Sequence, residues 1–434
     1  MKKLVSITTL LVVFLSITAF GQGWTYVGPF PDDASFTGNS GGHGIAVDPD
    51  GKVWVQIFGV TDTLIGGGDT ALVRQIFVFN PDGTPAPFSG FSTITVDGVT
   101  DTLFNSSRGL GADQDGHILI TSFDVVYRVN YQTGEGMDKA QPFPGVTLIA
   151  SAVADNGNVF NGPVIPGNPI FEMTPDLSSV LGNVVDLSVG FSRTIAVSGD
   201  GNTVYWPGYT NLYIHVYQRP DEFSAFDSVG TIMNGVQCEA IGWHPTDGNL
   251  WLSGGSYLTP PDPASPWAAN TWYAYDVNTQ LVVDSLNWVF TNAPTFTDSA
   301  NQRPRGIAFS PDGVYAYVTC FGASNYPVVQ KFLNPNVGVQ PDPNVVVTNY
   351  TLAQNYPNPF NPTTDIKFTV AKEGFVTLKV YDLLGKEVAT LVNQQMTTGG
   401  YKADFDASNL ASGTYIYTLS VNGVSISKKM MLLK

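Results

Sequence analysis

The sequence predicts an all-β protein with two folded parts, a β-propeller and a smaller β-sandwich. One hairpin pattern recurs six times between residues 44 and 320. After residue 350, apolar and polar residues alternate along several short runs, which is the pattern of half-buried strands. The 434 residues include 45 Gly and 29 Pro spread along the chain, which suits short strands joined by many turns.

The first segment, residues 1–21, has the three parts of a secretory signal peptide. Lys2 and Lys3 precede an apolar run from Leu4 to Phe20, and Ala19-Phe20-Gly21 is a small-x-small cleavage site. The apolar run is shorter than the about 20 residues that a membrane span needs, and no later segment has comparable apolar length. We therefore expect an exported protein that begins at Gln22 and has no transmembrane segment.

Residues 22–335 repeat one unit of an apolar strand, an Asp-Gly or Asn-Gly turn and a second apolar strand, which is a hairpin signature. The turn glycines are Gly51, Gly116, Gly157, Gly201, Gly248 and Gly313. Their spacings of 65, 41, 44, 47 and 65 residues are near the ~40–50 residues of a propeller blade, with two insertions. The pattern predicts a six-bladed propeller, and a seven-bladed ring with a degenerate blade inside an insertion is the alternative.

Further strands complete each predicted blade. A third strand follows every hairpin, and a looser fourth segment follows in the first five copies. The sixth copy lacks one, but the N-terminal segment from Trp24 to Phe30 can supply it and so close the ring without an exposed sheet edge. The repeats resemble those of the NHL and YVTN propeller group, and this resemblance implies the fold only.

The C-terminal region carries several motifs in a fixed order. After a linker at 336–349 that is rich in Pro and Asn, the segment 350–434 contains Asn-Tyr-Pro-Asn-Pro-Phe-Asn-Pro, Tyr381-Asp382 to Gly385, Ser412 to Tyr415 and a Lys-Lys ending. These motifs resemble the type A C-terminal sorting domain of the type IX secretion system. The resemblance implies an immunoglobulin-like sandwich, recognition by the type IX machinery, and a destination on the cell surface or in the medium. The alternating runs independently predict an antiparallel sandwich of about seven strands.

The charge of the body argues against two classes of partner. Residues 22–349 contain ten Lys and Arg against thirty acids, a net charge of −20. Such a body repels nucleic acid and anionic lipid. Twenty-six of the thirty acids are Asp, a turn residue, so much of this charge reflects loop chemistry.

Most standard catalytic signatures are absent from the sequence, which has no Gly-x-Ser-x-Gly, P-loop, Gly-x-Gly-x-x-Gly or His-Glu-x-x-His motif. The four histidines have no ligand spacing. The turns Asp48-Pro49-Asp50-Gly51 and Asp113-Gln114-Asp115-Gly116 invite a calcium interpretation, but neither is followed by the Glu of an EF-hand loop. We interpret them as ordinary turns and predict no metal, no cofactor and no catalytic residue.

One set of residues emerges when the six hairpins are aligned. The residue just before each first strand is His43, Arg108, Ala150, Arg193, Glu239 or Arg305, seven to nine positions before the turn Gly. The first strand of a blade lines the central channel, so these side chains should surround one of its ends. Three Arg there would attract an anion such as a carboxylate or phosphate. Alternatively, each Arg pairs with an acid of a neighbouring blade and serves packing, which the abundance of Asp favours.

The two cysteines, Cys238 and Cys320, fall in the fifth and sixth hairpin units. In an exported protein they could form a disulfide between neighbouring blades. Two buried free thiols are the alternative.

Together these observations favour a non-enzymatic binding module, exported by type IX secretion, whose partner is an extracellular protein, a glycan or a small anionic molecule. Two alternatives stay open. One is a hydrolase or lyase similar to six-bladed lactonases, although three Arg make a poor divalent-metal site. The other is a structural component of a surface layer.

Overall fold

The computed structural model describes residues 24–32, 41–57, 62–66, 69–105, 107–255, 267–290, 303–322, 327–334, 339–342, 349–372, 374–396, 398–408 and 410–434. These residues form 35 β-strands, and the all-β prediction is confirmed. The predicted signal peptide lies outside the described residues. Within the described ranges, no helix has the length and apolarity needed to cross a membrane.

Six antiparallel sheets of three or four strands form most of the described part of the body. Sheet 1 contains β2 (Gly42–Val47), β3 (Val53–Ile57) and β6 (Ile76–Phe79). Sheet 2 contains β9 (Ser107–Ala112), β10 (Ile118–Ser122), β11 (Val125–Val129) and β12 (Gly136–Ala140). Sheet 3 contains β13 (Ala152–Val153), β14 (Val159–Asn161), β15 (Ile170–Met173) and β16 (Val180–Val185).

The other three sheets follow in chain order. Sheet 4 contains β17 (Ala196–Val197), β18 (Thr203–Gly208), β19 (Tyr213–Gln218) and β20 (Asp227–Ile232). Sheet 5 contains β21 (Ile241–Trp243), β22 (Leu250–Ser253), β23 (Thr271–Asp276) and β24 (Leu281–Asn287). Sheet 6 contains β25 (Arg303–Phe309), β26 (Tyr315–Phe321), β27 (Val329–Leu333) and the N-terminal β1 (Thr25–Pro29).

The six sheets follow one another around a ring. The first strand of each sheet contacts the first strand of the next, and β25 contacts β2. A hydrophobic cluster lies between each neighbouring pair of sheets: Trp54 and Tyr127 pack between sheets 1 and 2, for example, and Trp272 packs between sheets 5 and 6. This is the architecture of a β-propeller, which confirms the fold class. The count of six blades stays a prediction.

The N-terminal strand joins the last sheet, as predicted. Thr25 pairs with Leu333 and Pro29 with Gln330, both antiparallel. The Phe30 amide extends the pairing by donating to the Val329 carbonyl at 3.0 Å. Strand β1 is thereby the outermost strand of a sheet whose other members come from the opposite end of the body.

The long insertion after the first hairpin departs from the prediction. Its described residues form two small hairpins, β4 (Asp62–Gly66) with β5 (Asp69–Val73) and β7 (Thr93–Val96) with β8 (Val99–Thr102). Sheet 1 has three strands among the described residues, so the fourth strand expected in the first copy is a separate hairpin instead. Residues 85–91 meet β6 at two isolated bridges, Phe79–Pro85 and Ile76–Phe91, while Ile94, Val96 and Leu103 pack in the hydrophobic cluster between sheets 1 and 2.

The Asp-x-Asp-Gly segments are turns closed by their own side chains. One oxygen of Asp48 accepts the amides of Asp50 and Lys52 at 3.0 and 2.9 Å, and the other accepts the Trp54 indole N–H at 2.9 Å. Gly51 has φ +79°, a left-handed conformation that favours glycine. The carboxylate therefore caps the turn, which confirms the turn interpretation.

The C-terminal part is a sandwich of two four-stranded sheets around one core. The first sheet contains β28 (Val339–Asp342), β33 (Gly399–Asp406), β30 (Thr363–Val370) and β29 (Thr351–Leu352). The second contains β32 (Glu387–Met396), β31 (Gly374–Tyr381), β34 (Gly413–Val421) and β35 (Val424–Leu432). Strand β28 lies within the predicted linker 336–349, so the sheet begins earlier than residue 350. Pairing with β33 provides the hydrogen bonds that a linker would have left to water.

Candidate functional site

The inner strands surround a channel that is wide at one end and narrow at the other. The wide end is a cavity of about 550 Å³ beside the hairpin turns, with walls that are largely apolar and include Ile45, Leu110 and Phe309. The narrow end is a pocket of about 30 Å³ near the starts of the inner strands, where Arg108 and Arg305 contribute to the wall. The residues predicted from the hairpin alignment lie at this narrow end.

Small residues make the narrow end possible. The residue after each aligned position is small in all six copies: Gly44, Gly109, Ser151, Thr194, Ala240 and Gly306. A Cβ added to Gly109 would lie 2.3 Å from the Ala150 Cβ, and one added to Gly44 would lie 3.0 Å from the Gly109 backbone. The backbones of neighbouring inner strands therefore approach too closely for larger side chains, and this brings the preceding residues of different sheets together.

Two of the predicted arginines share a single carboxylate. The Arg305 guanidinium contacts Glu239 Oε2, and Arg193 Nε lies 3.7 Å from the same oxygen. The side chains of Arg305 and Glu239 are each only 2% exposed. Ser253 Oγ accepts the Glu239 amide at 2.9 Å, which fixes the backbone that carries the carboxylate. The expectation that Arg residues pair between blades therefore holds for two of the three.

Arg108 is different, because no ion pair or hydrogen bond to its side chain is found among the described residues. Burial and the nearby Arg193 guanidinium lower the pKa of Arg108. Burial, Arg193 and Arg108 likewise lower the pKa of Arg305. The three guanidinium groups and the Glu239 carboxylate together carry a formal charge of +2 in a largely desolvated place.

The arginines also have unused donors. The buried Nε atoms of Arg193 and Arg305 have no hydrogen-bond partner within the described part of the chain. An unpaired buried donor costs about 1–3 kcal/mol. The cluster therefore has both positive charge and hydrogen-bonding capacity in excess of what the described residues satisfy.

Aromatic rings complete the site, and the hairpin alignment missed them. The guanidinium of Arg305 lies 5.0 Å from the centre of the Phe321 ring, and His43 packs on the same ring at 5.3 Å. Arg193 lies 5.4 Å from the ring centre of Tyr209. Such cation–π contacts hold a guanidinium without neutralising it. Tyr209 follows β18, so alignment of the loops between second and third strands could have found it.

The structure thus places the five predicted residues in one region. Arg108, Arg193, Glu239 and Arg305 form a charged group, named here the arginine cluster, and His43 joins it through Phe321. His43 is 1% exposed.

Of the two possibilities for the cysteines, the structure has two free, buried thiols and no disulfide between Cys238 and Cys320. Cys238 Sγ donates to the Ala240 carbonyl at 3.1 Å and packs in the core between sheets 4 and 5, whereas Cys320 packs between sheets 5 and 6. Each thiol therefore occupies its own core. Burial raises the pKa of Cys238 to about 12, which keeps it protonated.

Comparison with known proteins identifies the C-terminal part. Residues 354–433 match the family described as "Secretion system C-terminal sorting domain", which confirms the predicted sorting domain. The protein is secreted or attached to the cell surface. No curated protein shows a significant match to the chain.

Several solved structures are similar to the chain at low identity. A structural genomics protein of unknown function from Bacteroides thetaiotaomicron VPI-5482 is 10% identical, with a TM-score of 0.47 over 72% of this chain and 75% of its own. A chain of the Mitotic Checkpoint Complex is 14% identical, with a TM-score of 0.42 over 77% of this chain and 97% of its own. A protein of unknown function from Bacteroides caccae is 11% identical, with a TM-score of 0.38 over 59% of this chain and 81% of its own.

Proposed function

We propose that this exported protein is a non-enzymatic binding module that holds a small anionic ligand at the arginine cluster. Arg108 carries the proposal. Its guanidinium is partly buried and repelled by Arg193, and no acid offsets it among the described residues. Buried charge without a partner destabilises a fold, so an Arg kept there is best explained by something that it binds.

The chemistry of the cluster favours a carboxylate or a phosphate. Guanidinium groups donate two parallel hydrogen bonds to such anions, and these bonds are strong where water is excluded. Glu239 holds Arg193 and Arg305 in place, but its 3.7 Å contact with Arg193 Nε is longer than a hydrogen bond, and among the described residues the Nε–H of each arginine has no hydrogen-bond partner. An anion entering between them and Arg108 would reduce the charge excess and satisfy those donors together.

The same charge disfavours the lactonase-like alternative. That chemistry needs a divalent cation held by carboxylate, amide or imidazole groups. A formal charge of +2 at the narrow end of the channel repels a cation, and the Glu239 carboxylate is already shared by two arginines.

The proposal is tested with the variant Arg108→Gln of the chain 22–434. Without added anion, the variant should melt at or slightly above the wild-type temperature, because a repelled charge is removed. Inorganic phosphate or citrate at constant ionic strength should raise the melting temperature of the wild type more than that of the variant. Titration calorimetry should show weaker anion binding by the variant.

A matched control is Arg128→Gln. Arg128 pairs with Asp113 at 2.6 Å outside the arginine cluster, so its loss should reduce stability but leave the response to anions unchanged. Equal anion responses of Arg108→Gln and the wild type would overturn the proposal.

A further inference from the structure

We infer that the ligand of the arginine cluster is an amphipathic carboxylate, with its charge at the cluster and an alkyl or aryl group lying on an exposed apolar surface beside it. This inference rests on the proposed function and names the class of ligand. The surface, named here the apolar shelf, consists of Ile165, Leu187, Val189, Phe191 and Tyr209.

The shelf is exposed although it is apolar. Leu187 is 66% and Ile165 is 56% exposed, and Val189 and Phe191 are also exposed. Single exposed apolar residues are common, but a contiguous group of them beside a polar site marks a binding surface.

The shelf and the arginine cluster are continuous. The segment between β16 and β17 carries Leu187, Val189 and Phe191 and then Arg193. The Tyr209 amide donates to the Phe191 carbonyl at 2.9 Å, and the centres of the two rings are 6.1 Å apart. Arg193 lies over the Tyr209 ring. A molecule whose anionic end meets Arg193 therefore has Tyr209 and Phe191 as its next neighbours.

The shelf is held in place by hydrogen bonds rather than by burial. The Trp206 indole N–H donates to the Val189 carbonyl at 2.9 Å, and the Phe191 amide donates to Thr210 Oγ1 at 3.0 Å. The Ser192 amide donates to the Val164 carbonyl at 3.2 Å, which ties the segment to the residue before Ile165. An apolar surface that is already organised binds with little additional ordering cost.

The size of the narrow end favours a small ligand. Its pocket holds about 30 Å³, room for one carboxylate group but not for a folded surface. Arg305 is 2% exposed and lines this pocket. The apolar part must then lie outside it, on the shelf.

The test measures binding of acetate, butanoate, hexanoate and octanoate to the mature chain 22–434 by calorimetry and thermal shift at constant ionic strength. Each fully buried methylene of a ligand increases its affinity about four-fold, and a methylene in contact on one face only should increase it about two-fold. Octanoate should therefore bind about 60-fold more tightly than acetate at that two-fold increment. Octanol, which has the chain without the charge, and octylammonium, which reverses the charge, should not bind.

Two variants locate the apolar contact. Leu187→Ser and Phe191→Ser should weaken octanoate binding about 4- to 15-fold, equivalent to one or two methylenes at full burial, and leave acetate binding unchanged. The matched control is Leu281→Ser, because Leu281 is 61% exposed on β24 of sheet 5. It should change neither affinity.

The outcomes separate this inference from the proposed function. If phosphate or acetate binds in an Arg108-dependent way but chain length has no effect, the inference fails and the proposed function stands. If octanoate is preferred but both shelf variants match the control, the assignment to the shelf fails. If none of the anions binds, both fail.

Discussion

Replacing Glu239 with Gln should change the protein in two linked ways. The variant keeps the size of the side chain but removes the carboxylate that, among the described residues, the buried Arg305 shares with the partly buried Arg193. At 3.7 Å, the attraction of Glu239 to Arg193 alone is about 4 kcal/mol with an effective dielectric constant near 20. Removal of one partner from a buried pair costs about 3–5 kcal/mol in practice.

This loss is large enough to measure. Unfolding entropy of about 2.1 cal/mol/K per residue converts 3–5 kcal/mol into a fall of about 5–8 °C in melting temperature for a body of about 300 residues. Thermal unfolding followed by circular dichroism or calorimetry reports this directly.

The second effect is rescue by anions. The formal charge of the arginine cluster rises from +2 to +3, so phosphate should stabilise Glu239→Gln more than it stabilises the wild type. At a phosphate concentration 100 times the dissociation constant, the bound anion raises the free energy of unfolding by about 2.7 kcal/mol. A chloride salt at the same ionic strength should stabilise the variant less than phosphate does, because chloride cannot accept the paired hydrogen bonds that a guanidinium donates.

Glu172→Gln is the matched control. Glu172 forms a two-pronged ion pair with Arg219 at 2.7 and 3.0 Å, and both side chains are nearly buried. Its loss should also lower the melting temperature, but a single Arg should show no special phosphate rescue. The reasoning is refuted if Glu239→Gln melts like the wild type, or if phosphate rescues both variants equally.

Two further predictions concern other parts of the molecule. Burial raises the pKa of Asp284 to about 6, with Trp24 donating to it at 3.1 Å, against about 3.9 in the unfolded chain. The folded state therefore binds the proton more tightly, so this contribution to stability is complete below pH ~4 and is lost as the pH rises through 6. Asp284→Asn should consequently be more stable than the wild type at pH 7.5 by about 1–2 kcal/mol, a range that allows for the partial exposure of the side chain. The gain in stability should be smaller at pH 4.5. Equal gains at both pH values would contradict this prediction. Deletion of residues 336–434 should leave a folded body that stays in the periplasm, because the C-terminal sandwich has a hydrophobic core of its own. Fractionation and immunoblotting measure where the truncated protein is found. Normal amounts of it at the surface or in the medium would disprove the sorting role.

Much of the body could be predicted from sequence because its signals are local. Each hairpin turn is specified by an Asp or Asn and a Gly within a few residues, and the turns of Asp48 and Asp113 are closed by those same side chains. The pairing of the N-terminal strand followed from counting strands, since the sixth copy lacked one.

Pairing of Arg between blades was expected, but the particular partners in the arginine cluster could not be predicted because these contacts are not local. Glu239 contacts Arg193 and Arg305, which belong to two other hairpin units. A hairpin alignment does not show how the side chains of different units are directed around the ring. Phe321 ends a strand and Tyr209 lies in a loop, so neither shares the aligned position. Strand β28 was missed because a four-residue segment containing Pro341 shows little alternation, and its pairing with β33 determines its conformation.

The position of β1 has a mechanical consequence for a protein held at a cell surface through its C-terminal part. Tension on the segment that leaves the body would act on β27, the last strand of the body. Because β1 covers the outer side of β27, that strand is bonded on both sides and must slide past two neighbours at once. Without β1 it would be an edge strand, and its hydrogen bonds would open one after another. The composite sheet should therefore slow forced unfolding, a property governed by the unfolding rate, at the point where load enters the ring.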